Sequence, residues 1–280
     1  MERACMKRRR VLATLGTGLA GVAGCLSESP STPDEASETP TDDERTDQRT
    51  PSQTHTKVAV EDVVVRKAIT YDSSMGSGGV LTGEDRQYVV GSVRGVEDVH
   101  DLAYTFETAD SAWDQGLPDT VGARNHAVAG HERPYVAFTV PSRLSASNPR
   151  IRRSDGTEWP VPADARDTLA APAPQFELDS LTVPDSVSQG EQLSVSLTAT
   201  NVSETDGRFL AAVYWPTKGI ADDDESHVVD RSVAAGERVS ATLDVDTAYT
   251  AMEDGPVTLS VTGHVAAERE VQVRDASTPT

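Results

Sequence analysis

From residue 57 onward the apolar positions fall in short runs that alternate with polar ones, and no stretch sustains a 3.6-residue period. Alternation of this kind predicts strands with one face buried and the other in water. Val58, Val60, Val63 and Val65 predict a first strand with a slip in register near Glu61-Asp62. Residues 87–95 predict another, and Leu102, Tyr104 and Phe106 alternate cleanly. Tyr135, Ala137 and Thr139 do so against Val136, Phe138 and Val140. Residues 150–161, with Asp155-Gly156 at the centre, read as a hairpin, since Asp-Gly tolerates the positive φ of a tight turn. Residues 73–83 and 109–130 read as long turn-rich connections. The fold class is all-β.

Residues 57–168 are read as a first β domain, 169–175 (LAAPAPQ) as an Ala/Pro hinge, 176–274 as a second domain and 275–280 as a tail. In the second, Phe176 and Leu178, then Leu181 and Val183, imply a strand with a bulge. Leu193, Val195, Leu197 and Ala199 alternate into a polar turn at 201–207. Further strands are expected at 208–215, 226–232, 238–245, 256–262 and 264–273, with Gly190, Gly236 and Gly255 at turns. Seven strands in about 100 residues is the count of an immunoglobulin-like sandwich. Residues 193–201, Ala235-Gly236-Glu237 ahead of 239–245, and 255–261 make this domain similar to CARDB or fibronectin-like adhesion modules of archaeal surface proteins. The first domain more loosely resembles the immunoglobulin-like modules found behind lipoprotein signals. Two tandem immunoglobulin-like β-sandwiches are therefore expected.

The stretch ahead of them has a different pattern. Lys7, Arg8, Arg9 and Arg10 form a basic region, and residues 11–23 come next without a charge. That is the length of a signal-peptide core and short of the about 20 apolar residues of a spanning helix. Arg8 and Arg9 with Arg10, Val11 and Leu12 resemble the twin-arginine pattern, which implies export of an already folded chain. Val22-Ala23-Gly24-Cys25 resembles a lipobox, which implies a signal peptide over residues 1–24 and a diacylglyceryl group on Cys25. Two acyl chains suffice for a stable anchor. Met1 and Met6 both serve as starts for such a signal. Residues 25–56 are almost wholly Ser, Thr, Pro, Asp, Glu, Gln and Arg, too polar to bury anything, and are expected to be a disordered tether. Thirty such residues average roughly 30 Å end to end.

Charge sharpens the picture. The 280 residues carry a formal charge of −20, and removing residues 1–24 takes away five basic residues and one acidic one, leaving −24. Only four lysines occur against 21 arginines. Abundant Asp and Glu with scarce Lys resemble proteins of extreme halophiles. No basic patch survives beyond Arg150, Arg152 and Arg153, with Asp155 and Glu158 close behind, so nucleic acid is not an expected partner. Both cysteines, Cys5 and Cys25, lie in the signal region, which leaves the two domains without disulfide or thiol chemistry.

Candidate chemistry is thin. His100, His126 and His131 lack the cysteine of a blue-copper site and the glutamate arrangement of zinc hydrolases. The acidic loop Asp222 to Glu225 lacks the interleaved ligands and turn glycine of a calcium loop, and is read as solvated. Gly76-Ser77-Gly78-Gly79 has no Gly-Lys-Ser/Thr after it. No catalytic, metal or cofactor site is assigned, and no cofactor is expected. Asn201-Val202-Ser203 is an N-glycosylation sequon, making Asn201 a candidate acceptor. Trp113, Trp159 and Trp215 are expected in the core. The reading is a non-enzymatic envelope lipoprotein, bound to the membrane by its lipid and presenting two domains to an envelope or surface protein. The alternatives are a ligand- or ion-binding accessory subunit of a transporter or redox complex and, behind it, a hydrolase with acidic catalytic residues.

A charge of −24 repels itself in dilute buffer, whereas at about 1 M salt a Debye length of roughly 3 Å screens it. Dialysis from molar to millimolar salt is expected to unfold the chain, read as loss of the β-type circular-dichroism signal. A signal unchanged across that range would contradict the halophilic reading.

Overall fold

The computed structural model describes residues 57–72, 78–83, 85–96, 99, 103–118, 126–218, 225–251 and 253–276. Arg8, Arg9, Cys25 and the tether lie outside them, as do His100 and Asp222 to Asp224. The described residues are all-β with one short helix and belong to one compact unit, Thr54–Thr280.

The N-terminal half is built from β1 (Ala59–Arg66), β2 (Ile69–Asp72), β3 (Gly78–Leu81), β4 (Arg86–Arg94), β5 (Tyr104–Glu107) and β6 (Ala112–Asp114). Next come β7 (Ala127–Val128), β8 (His131–Glu132), β9 (Tyr135–Pro141), β10 (Arg150–Arg153), β11 (Glu158–Pro160) and α1 (Ala163–Ala170). Three antiparallel sheets result, ordered β1-β4-β9, β11-β10-β5-β6 and β3-β2-β7-β8. The register of β1 on β4 shifts between Glu61 and Val64, where Asp62 has φ 52, at the slip expected from the valine spacing. Trp159, Ile151, Phe106 and Trp113 form one row across all four strands of the second sheet. That row packs with Val89, Val136 and Phe138 of the central sheet into one core.

The sequence reading places no helix at 163–170 and sets its hinge from residue 169. Residues Ala165 and Leu169, four apart, are the only buried positions of α1, too few to show a period. Leu169 is part of the same core as Phe106. The small sheet β3-β2-β7-β8 is likewise absent from that reading, because its strands are two to four residues long and lie partly inside the segments read as connections.

The C-terminal half contains β12 (Phe176–Thr182), β13 (Ser186–Ser188), β14 (Gln192–Asn201) and β15 (Gly207–Trp215). It continues with β16 (Glu225–Val233), β17 (Arg238–Asp246), β18 (Gly255–Gly263) and β19 (Ala267–Arg274). These form a β-sandwich with sheets β12-β14-β17 and β13-β19-β18-β15-β16. Between them pack Leu193, Val195, Leu197 and Ala199 from one sheet and Phe209, Ala211, Val213, Trp215 and Leu259 from the other. The outer face of β12-β14-β17 is polar, with Ser196–Thr242 and Thr198–Ser240 hydroxyl pairs at 2.9 and 3.0 Å. The bulge between Leu178 and Ser180 restores the alternation of β12.

Strands that bury both faces join these layers, β4 and β15 among them. In β4, Val89 and Val93 face the tryptophan-lined core, whereas Tyr88 and Val90 face a second core with Ile69, Leu81 and Val128 of the small sheet. In β15, Phe209, Ala211 and Val213 face the core of their own sandwich, whereas Leu210 and Ala212 pack on Ala68 and Val80 of the N-terminal half. Five sheets are thus stacked with an apolar layer between each neighbouring pair. At the junction Gly78 N–H donates to Ser226 Oγ (2.7 Å) and Thr82 Oγ1 donates to the Gly263 carbonyl (3.0 Å). Tyr71 and Tyr214 close over Gly79, where a Cβ would lie 2.2 Å from the Tyr71 ring and 2.6 Å from the Tyr214 hydroxyl.

Because β15 serves two cores, the unit is expected to unfold in one calorimetric transition at high salt. Leu210→Ala is expected to lower stability by about 2–5 kcal/mol. Leu210→Asp, which puts a charge between the sheets, is expected to split the transition in two. Two transitions in the unsubstituted chain would contradict the shared-strand account.

Candidate functional site

The two halves also meet at a cleft of about 490 Å³. Three segments line it: Val65 to Ala68 leaving β1, the end of α1 with Pro172 and Pro174, and the turn Asp206-Gly207-Arg208 entering β15. The third segment is held close by a missing side chain. A Cβ on Gly207 would lie 2.4 Å from Pro174 Cβ and 2.7 Å from its Cγ, and a proline ring cannot swing aside. The Val202 N–H donates to the Gln175 carbonyl (2.9 Å), fastening the linker to the C-terminal sandwich.

Lys67 enters the cleft wall from the other side. Its Nζ donates to Gln87 Oε1 (2.6 Å) and to the Ser142 carbonyl (2.7 Å). Gln87, fully buried, donates from Nε2 to the carbonyls of Pro141 (2.7 Å) and Leu169 (3.0 Å). The Leu169 carbonyl also accepts from the Leu144 N–H, so the C-terminal end of α1 is satisfied by neighbouring segments. Burial, and then Arg143, push the Lys67 ammonium down to about 8. Arg66 beside it is half-buried; its Nη1 donates to the Val65 carbonyl (3.2 Å), and its Nε is buried without a partner. Arg208 is paired with Asp230 through both of its reaching nitrogens.

The sequon at Asn201 has a structural use. The side chain is fully buried, and Nδ2 donates to the carbonyls of Thr205 (2.9 Å), Val233 (3.3 Å) and Ala234 (3.1 Å). Oδ1 accepts from the Ser203 amide (3.1 Å) and hydroxyl (2.6 Å). In the folded chain the nitrogen to which a glycan would attach is therefore occupied by the turn it stabilises. Spacing alone identifies the Asn-x-Ser tripeptide and is blind to that use.

The histidines do not converge. His126 is exposed at a bend, whereas His131 is buried with Nδ1 3.0 Å from Ser92 Oγ. Among the described residues no three His, Cys, Asp or Glu side chains are placed to hold a metal ion. Trp215 is fully buried and donates from Nε1 to Thr250 Oγ1 (2.6 Å). Trp113 and Trp159 are half-buried, their rings 5.7 Å from Phe106 and 6.1 Å from Tyr104. The arginine cluster is neutralised by nearby carboxylates: Arg150 lies 2.8 Å from Glu107 and 3.2 Å from Glu158 on the neighbouring strands, and Arg153 pairs with Asp155 in the turn after β10. No described helix is long and apolar enough to cross a membrane.

His264 sits where β18 turns into β19, in a three-ring cluster with Phe176 (4.9 Å) and Phe209 (6.1 Å), with Nδ1 accepting the Leu210 N–H at 2.9 Å. Burial lowers both the His264 and the His131 pKa, since each ring is held neutral by its surroundings. The unfolded chain then binds more protons below its histidine pKa near 6.5, so stability is present above that pH and is lost as pH falls toward the folded values. Midpoints of thermal unfolding at constant molar salt are expected to fall between pH 7 and pH 5. His264→Phe, which cannot be protonated, is expected to flatten part of that slope.

No family model matches the chain. No curated protein matches it. Among solved structures it is similar to a beta-glucosidase from Listeria innocua, at 18% identity and TM-score 0.32 in the complex with glucose and 18% and 0.31 in that with gluconolactone. A further structure of the beta-glucosidase gives 19% and 0.32. Each alignment covers 58% of this chain and 21% of the glucosidase. At such TM-scores the likeness carries no argument about activity.

Proposed function

We propose that this chain is a non-enzymatic envelope lipoprotein of a halophilic archaeon. It is exported through the twin-arginine route by Arg8 and Arg9 and held on the outer face of the membrane by lipid on Cys25. Its two immunoglobulin-like sandwiches are presented on a polar tether for recognition of a protein or another envelope component. The observation that carries this reading is the arrangement of residues 6–25: a basic start, an uncharged run too short to span, and small residues ahead of a single cysteine. The charge of −24 on residues 25–280 supports the halophilic setting. The packing of both sandwiches onto β15 supports presentation as one rigid body, with loops and edge strands in fixed relation. A second reading, a ligand-binding accessory subunit, is favoured by the cleft of about 490 Å³ between the sandwiches, since small-ligand sites are concave and often lie at such junctions.

Cys25→Ser tests the anchor. In cells fractionated at native salt, the unsubstituted chain is expected with the membranes and the variant in the soluble fraction. A variant that still pellets as before would overturn the lipid-anchor reading.

A further inference from the structure

In a chain with 45 acidic residues against 25 basic ones, an arginine or lysine has carboxylates within easy reach. Arg86, Arg94, Arg150, Arg153, Arg208 and Arg238 each take at least one. Arg66 and Lys67 do not: among the described residues neither has a carboxylate within ion-pair distance, although both are half-buried in the wall of the cleft. Exposed cations can go without a partner because water solvates them. Half-buried ones have given up part of that water, and burying a charge unpaired is costly.

We propose that the cleft between the sandwiches is a binding site for a small oxygen anion, a carboxylate or a phosphate, held by the Lys67 ammonium and the Arg66 guanidinium. The charges around it fit this assignment. Burial and then Arg208 depress the Arg66 pKa, while Asp230 and Asp164 pull it the other way, and burial and then Arg143 depress that of Lys67. None of these carboxylates comes within ion-pair distance of Arg66 or Lys67, and Asp230 is already engaged by Arg208, so a bound anion would supply the direct contact that the two half-buried cations lack. Two carboxylates also line the cleft, but one is in use and the other faces water: Asp206 Oδ1 accepts the Ala235 N–H (3.0 Å), and Asp167 is exposed. The Lys67 ammonium has three N–H groups, and Gln87 and Ser142 take two of them, leaving the third for a ligand. Guanidinium supplies paired donors that match carboxylate and phosphate oxygens. The walls come from both halves, so a bound anion would also tie the sandwiches together. In molar salt long-range attraction is screened, and only direct, partly buried contacts of this kind retain their strength.

The site stands on the cleft geometry and not on the lipid anchor, so the two proposals fail separately. The test is titration calorimetry on the purified full chain in molar KCl at pH 7, with inorganic phosphate in one arm and succinate in the other. Saturable binding of at least one, at one per chain, is expected; the arm that binds tells phosphate from carboxylate. Lys67→Met and Arg66→Gln are each expected to weaken binding about tenfold or more, as loss of a charge-assisted contact does. Arg269→Gln, on an exposed strand of the other sandwich, is expected to leave it unchanged. Lys67→Met also unties Gln87 and Ser142, so Arg66→Gln, which touches neither, keeps the test open if the first variant is unstable. At pH 8 binding is expected to take up about half a proton, because the anion draws Lys67 back to its charged form. No saturable binding in either arm, binding indifferent to both substitutions, or binding at pH 8 without proton uptake would each overturn the proposal.

Discussion

One strand that buries apolar side chains on both of its faces holds the described part of this protein together. In β15 the side chains of Phe209, Ala211, Val213 and Trp215 complete the core of the C-terminal sandwich. Their alternates Leu210 and Ala212 meet Ala68 and Val80 across the junction. A half-buried strand would place polar residues at those alternate positions, and exposing two apolar ones to water would be unfavourable. Docking of the N-terminal half removes that surface. Gly79 and Gly207 serve the same end, since each lacks the one atom that would keep the halves or the linker apart.

The electrostatic pattern complements this packing. Carboxylates dominate the surface, and the arginines on the outer face of β10 are interleaved with Glu107 and Glu158 so that no cationic patch forms there. In the concave seam the half-buried Arg66 and Lys67 have no described carboxylate within ion-pair distance, and Lys67 is held by the buried Gln87 that links β4 to the end of α1. The polar outer face of β12-β14-β17 combines paired hydroxyls with the Arg238–Asp179 ion pair beside Thr200.

Strand length and the number of buried faces decide how much of this architecture is legible in the sequence. Alternation in residues 193–199 and 135–140 locates β14 and β9, and the valine spacing locates the slip at Asp62, because one buried face writes a period of two into the chain. Short strands such as β7, β8 and β13 hold two or three residues and cannot display a period. α1 buries only Ala165 and Leu169. The docking face is present in the sequence as an unbroken apolar run, Phe209-Leu210-Ala211-Ala212-Val213, whose lack of alternation is the signature of burial on both sides. The cleft is not legible: Arg66 and Lys67 are separated from Arg208 by more than a hundred residues, and only the fold brings them to one seam. Asn201 shows the opposite case, where a short motif is plain in the sequence and its buried hydrogen bonds are not.

The pairing of β13 with β19 has a consequence of a different sort. These strands run parallel, with Ser186, Val187 and Ser188 beside Gln272, Val273 and Arg274, and hydrogen bonds Gln272 N to Asp185 O and Gln189 N to Arg274 O extend the ladder. In the C-terminal sandwich they are the early edge strand and the last one. Tension applied along the chain through that sandwich pulls them in opposite directions along their length, loading the whole ladder in shear at once, where an antiparallel hairpin pulled from its open end would peel bond by bond. A surface molecule held at one end and gripped by a neighbour at the other would thereby resist mechanical extension.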